Sequence, residues 1–231
     1  MIRRILEYCM AILLIGFVTV MLWPVTNRRG PSRRTLCKNN LQTIGLALHN
    51  YHDVYDVFPP AYTVDENGNP LHSWRTLVLP YLDQQKLYES IDLSKPWNDP
   101  VNATAFKTPI SNYRCPSTAL EATSTTYLAV VTPESTIRPI QSAKLADVKD
   151  GTSNTILIVE VIPEKAVHWM SPTDADEGLL QTRGSAKRPT HDRGRHITLV
   201  DGSIRSLSDS LPYAQIHALT TISGNDEVGE F

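Results

Sequence analysis

Cys9, Cys37 and Cys115 are the three thiols of the chain. No two stand at the two- to four-residue spacing of a common metal-ligand pair, so the cysteines alone specify no metal site. His191 precedes a β-patterned run and His196 lies at its start. No third ligand follows at a useful spacing, which favours hydrogen-bonded structural histidines over a metal pair. Ser153 has neither a glycine elbow nor a paired base, so a turn serine is preferred to a nucleophile. Asp65, Asn67 and Asn69 faintly repeat the ligand spacing of a calcium loop. The closing bidentate glutamate is missing, and Asn67-Gly68 reads better as a plain turn. This inventory points to no catalytic residue, no metal and no cofactor.

The aromatic residues offer a different chemistry. Trp74, Tyr88, Trp97 and Trp169 are large enough to line a groove for a small solute or a polysaccharide. The competing reading is that they cover a helix as core. Burial of these rings would favour the core.

The elements that must position these residues begin with residues 37–52. Cys37, Leu41, Ile44, Leu48 and Tyr51 step by four and three, the period of one helix face. Phe58-Pro59-Pro60 stops that helix. Residues 73–88 read as an extended apolar run, then a helix with Pro80 near its first turn. Asp99-Pro100 caps another short helix. Residues 125–131 and 156–161 have strand composition. Residues 195–200 and 203–207 alternate around Asp201-Gly202, a two-residue hairpin signal that gives Asp201 a structural role. Residues 212–222 read as a terminal helix. The apolar face of the first helix needs a surface, and the later β-rich segments supply it. The fold class is therefore α+β, an amphipathic helix on a mostly antiparallel sheet.

Ahead of this domain, nineteen residues from Tyr8 to Thr26 carry no charge. At roughly 1.5 Å per residue they reach about 28 Å, one hydrocarbon core. No A-x-A-like site follows, so an uncleaved anchor over residues 5–26 is preferred to a signal peptide. Residues 27–34 form a basic linker in which Gly30-Pro31 breaks the helix. The domain then occupies residues 32–231. Lys plus Arg total 22 and Asp plus Glu 24, a net charge of −2 that excludes a global field for nucleic acid.

CKNNLQTIGLALHNYH, SWRTLVLPYL with its following Gln pair and PW, CPS, W-x-x-P-x-D, DGTSNTILIVE and the terminal H-x9-DG (His191 to Asp201-Gly202) run through most of the chain. Together they resemble the DUF1559 family, pseudopilin-like proteins abundant in planctomycete-type bacteria and also filed as a solute-binding family. The resemblance implies a pilin-like fold behind an N-terminal membrane helix. It implies a single-pass protein of the bacterial inner membrane with an extracytoplasmic C-terminal domain. The implied function is a structural or interaction subunit, with other pilin-like or secretion-system subunits of a type II secretion or type IV pilus-like assembly as partners. A solute- or polysaccharide-binding module is the alternative, and a hydrolase ranks last.

Ile5-Leu6-Glu7 is similar to the core of a prepilin N-terminus, where a lone glutamate pairs with a neighbouring subunit's amino terminus. The rival reading seats Glu7 at the headgroup edge. Ile2 stands where the prepilin cleavage glycine belongs, so an unprocessed N-terminus is expected. Arg28, Arg29, Arg33 and Arg34 outweigh Arg3 and Arg4, which by the positive-inside rule favours a cytoplasmic domain. The resemblance places it outside, and that placement is adopted. Cys37 and Cys115 then share a disulfide-permitting compartment and are expected to pair, against the reading of two buried free thiols.

Overall fold

The computed structural model describes residues 2–22, 31–181, 194–208, 210–224 and 228–229. Two compact units divide the chain at Ser32. The first holds helix α1, Ile2–Leu22. Its described side chains are those of Arg3, Arg4 and residues 8–18. Among the described residues no helix is long and apolar enough to cross a membrane. Residues 23–30, most of the expected linker, and the side chain of Glu7 lie outside the described residues.

In the second unit α2 spans Arg33–Tyr55. It starts earlier than the apolar period suggests, so Arg33 and Arg34 belong to its first turn, not to the linker. Arg34 Nη2 donates to Ser206 Oγ at 3.1 Å, which helps to hold that turn down. Cys37, Leu41, Ile44, Ala47 and Leu48 are fully buried, as the period requires, and Tyr51 is half-buried.

Strand β1 (Tyr62–Val64) pairs antiparallel with β2 (Pro70–Ser73) across the Asn67-Gly68 turn. Asp65 Oδ1 accepts from the amides of Asn67 and Asn69 at 2.9 and 2.8 Å, and its Oδ2 accepts from Asn69 Nδ2 at 2.8 Å. The carboxylate that suggested a calcium loop is engaged by its own turn. The next segment is not extended. Ser73 caps a short helix α3, Trp74–Leu77, by accepting from the Arg75 amide, and a 3-10 turn at Leu79–Leu82 carries Pro80 in its first turn. Helix α4, Gln85–Glu89, follows.

The run at 125–131 is divided. β3 (Ser124–Thr125) pairs with β6 (Val167–His168), while β4 (Tyr127–Ala129) pairs with β5 (Ile156–Glu160). Thr125 Oγ1 takes the Tyr127 amide at 3.0 Å, a local bond at the point where the chain changes partner. The main sheet has the order β4-β5-β7-β8, all antiparallel, with β7 at Arg195–Leu199 and β8 at Ile204–Leu207. All five residues of β5 and of β7 are buried, because both sheet faces are covered. One core gathers the buried face of α2, Phe58, Trp74, Trp169 and Leu157. The other gathers Ile197, Leu199 and Leu207 with Ile216 and Leu219 of the terminal helical segment, whose helix spans Tyr213–Ala218. This is the α+β arrangement of a helix on an antiparallel sheet.

Candidate functional site

The signature motifs converge on three internal clusters. The first is built around Arg75, whose side chain is fully buried. Its Nε donates to Trp169 O at 2.9 Å, and its Nη2 donates to Ser171 O at 2.9 Å and Thr173 O at 2.7 Å. Its Nη1 meets Asp174 Oδ1 at 2.7 Å. The same oxygen accepts from Trp74 Nε1 at 3.0 Å and from the Ala129 amide at 2.9 Å. Tyr113 Oη donates to Arg75 O at 2.7 Å. Burial pushes the Asp174 carboxyl up, and Arg75 with the other two donors opposes that rise. One guanidinium thereby fixes the 169–174 loop against β4 and α3. The sequence contains both residues in recognised motifs, SWR and W-x-x-P-x-D, but their pairing across 99 positions has no local signal.

The second cluster lies under α2. Cys37 and Cys115 are joined as a disulfide with their Cα atoms 5.1 Å apart. Glu160 has a ligand atom within 4.8 Å of the two sulfurs. With the sulfurs bonded to each other neither is a thiolate donor, so the group is not a metal centre in this state. Glu160 Oε2 and His196 Nδ1 are 2.9 Å apart, and both side chains are buried. His196 is thus buried and hydrogen-bonded to Glu160. His191, the other residue weighed as a ligand and the head of the H-x9-DG motif, lies outside the described residues.

The third cluster explains the Asp-Gly half of that motif. Leu199 O accepts from the Gly202 amide, and Leu199 N donates to Ser203 O, both at 2.9 Å. The loop is therefore three residues, a type I turn closed by a left-handed Gly202 at φ +81°, and only that glycine needs positive φ. The Val200 amide bonds Thr155 O and the Asp201 amide bonds Thr152 O, each at 2.9 Å, which ties the hairpin to the DGTSNT turn containing Ser153. His49 Nε2 reaches Val200 O at 2.8 Å. A Cβ on Gly45 would come within 3.1 Å of Thr198 Cγ2, so the close approach of α2 to the hairpin depends on that glycine.

The aromatic candidates separate. Trp74 and Trp169 are buried in the core at 0 and 1% exposure. Trp97 stacks on Phe106 at 5.7 Å between centroids, and Phe106 on His168 at 4.1 Å. The column continues through Trp169 and Tyr113 to Trp74. Trp97 is half-buried against Phe106, while Trp74 and Trp169 are enclosed in the core. His168 Nδ1 accepts from the Met170 amide, so its Nε2 donates to Phe106 O at 2.9 Å, and burial holds its pKa below the ordinary histidine value. Tyr88 belongs to a different group with Tyr51, Tyr55 and Tyr81 at the end of α2. There Tyr51 and Tyr55 centroids lie 4.3 Å apart, and burial with three neighbouring phenols pushes Tyr51 up to about 12.

Residues 27–140 match the model of a family described as Protein of unknown function (DUF1559). No curated protein and no solved structure matches the chain.

Proposed function

Because the chain belongs to the DUF1559 family over residues 27–140, we propose that it is a pseudopilin-like structural or interaction subunit held at a membrane by its N-terminal segment. The carrying observation is the use made of the motif residues. Gly45, His49, Arg75, Asp174, Gly202 and the Cys37–Cys115 pair all hold one part of the fold against another. A catalytic family keeps its motif residues at an accessible reacting centre. Motifs devoted to internal contacts specify a scaffold instead, and in this reading the protein catalyses no reaction.

The assembly would be of the type II secretion or type IV pilus-like class. The anchor would be residues 5–26 in the bacterial inner membrane, with the C-terminal domain extracytoplasmic. The disulfide supports that side, since such bonds persist in oxidising compartments. Glu7 would pair with a neighbouring subunit's amino terminus.

Crosslinking in the native membrane, followed by identification of the partners, tests the reading. Pilin-like or secretion-system subunits are expected. If Glu7 pairs with a neighbouring amino terminus, Glu7→Gln should abolish recruitment and leave membrane insertion intact; if it sits at the headgroup edge, the substitution should change little. Recovery of only unrelated soluble proteins, or recruitment unaffected by Glu7→Gln together with protease protection of the domain in intact spheroplasts, would overturn it.

A further inference from the structure

A group of exposed side chains lies beyond the end of α2. A cleft of about 400 Å³ opens there between residues 55–60 and 140–147. Tyr55 and Ile140, 57 and 59% exposed, stand on its walls with Val57 and Pro60. Asp56, Gln141 and Lys144 are exposed polar side chains on the same cleft, and Lys144 pairs with Asp56.

The walls are stitched together before any ligand arrives. Phe58 N donates to Ala143 O at 3.2 Å, and Ala61 N to Arg138 O at 2.8 Å. Ser142 Oγ donates to Pro59 O at 2.7 Å, and the Leu145 amide donates to His52 Nε2 at 3.1 Å. Tyr55 leans on Tyr51, whose ring in turn meets Tyr81 edge-on at 6.2 Å. A ligand would therefore meet a preorganised surface and would order little protein on binding.

The chemistry selects a ligand class. The cleft keeps the Tyr55 ring exposed and carries polar side chains on its rim, which does not suit a wholly apolar molecule that needs burial. Its charged groups are Asp56, Asp147 and Lys144; Asp56 and Lys144 pair with each other and the Asp147 carboxylate accepts from the Lys144 amide at 2.9 Å, which disfavours an ion of either sign. What remains is a neutral molecule with an apolar face for Tyr55 and a rim of hydroxyls for a carboxylate, an amide and an ammonium. A pyranose ring has that form. We infer that this cleft is a binding site for a neutral saccharide, with Tyr55 as the stacking platform and Asp56, Gln141 and Lys144 as hydroxyl partners. The site is separate from the buried tryptophans and does not rest on the assembly reading.

The test is electrophoresis of the full-length chain, in detergent, through gels containing hydroxyethylcellulose, soluble starch or galactomannan, with alginate as the anionic comparison. At least one neutral polymer should retard the protein. Tyr55→Ala should weaken that retardation at least about tenfold, and Gln141→Ala should weaken it less. Tyr213→Ala, at an exposed tyrosine outside the cleft, should leave it unchanged. Because the substituted side chains are exposed, unchanged thermal melting would show that the fold survives. Retardation by alginate alone, by no polymer, or equally in Tyr55→Ala would overturn the inference. None of those results would bear on which subunits the protein contacts in the membrane.

Discussion

Substituting Asp174 and Arg75 together discriminates between two views of their pair. A buried ion pair is often replaceable by apolar residues at no net cost, because both charges lose their desolvation penalty together. Here the guanidinium also serves four carbonyls, Trp169 O, Ser171 O, Thr173 O and, at 3.4 Å, Tyr127 O, and Asp174 serves Trp74 Nε1 and the Ala129 amide. Arg75→Met with Asp174→Leu would orphan Ser171 O, Thr173 O, Trp74 Nε1 and the Ala129 amide, while Trp169 O keeps Ser73 Oγ; at roughly 1 kcal/mol or more each that is at least about 4 kcal/mol. Asp174→Ala alone leaves a buried cation without its counter-charge and costs about 3–5 kcal/mol. The double variant is therefore expected to be no more stable than the single. For a unit of this size either loss lowers Tm by roughly 6–20 °C in thermal melts followed by circular dichroism. A double variant that melts with the unsubstituted chain would refute the argument, since the pair would then be only an ion pair and not the organiser of the 169–174 loop.

Three further outcomes are expected. The Cys37–Cys115 bond closes 78 positions of chain, so Cys115→Ser should cost about 2–4 kcal/mol, and dithiothreitol should lower the native melt to match; alkylation of both thiols without reductant would contradict this. Burial lowers the pKa of both His72 and His168, so the unfolded chain binds more protons below its histidine pKa of about 6.5. Stability should be full above that pH and fall as pH drops below it, by less in His168→Phe; a melt indifferent to pH between about 7.5 and 5 would refute the assignment. Gly45→Val should lower stability by at least about 2 kcal/mol through overpacking against the 198–202 hairpin, and a neutral result in urea titration would show that α2 sits farther away than described.

What could be read from the sequence was what depends on short spacing. The face of α2 from Cys37 to Leu48 follows from a period of four and three, and the Asp99 cap from an Asp-Pro pair whose carboxylate accepts from the Val101 amide. The errors arose where a local pattern had two solutions. Residues 74–77 are apolar enough for a strand, but Ser73 supplies a cap and the chain turns helical. Asp201-Gly202 suggested a two-residue turn, but Leu199 closes onto Gly202 and the loop takes a third residue. Arg75 with Asp174, and Glu160 with His196, were not legible because each pair joins segments far apart in sequence. The aromatic candidates failed to form one groove for a related reason. Residue type announces a large ring, but only the fold decides whether its face meets Phe106 or solvent.

The seating of α2 also governs the order in which the polypeptide can acquire structure. Residues 27–140 contain the helix and its disulfide partner, yet His49 bonds Val200, Gly45 abuts Thr198 and Arg34 bonds Ser206. The surface that completes the burial of this helix is synthesised near the other end of the chain. Contacts of such high sequence separation must await loop closure, which slows folding and leaves apolar surface uncovered in the interval. During synthesis from the N-terminus α2 would emerge roughly 150 residues before β7, with Leu41, Ile44 and Leu48 exposed to whatever surrounds the nascent chain. The stretch that identifies the family therefore leaves part of its helix uncovered until the last hairpin arrives.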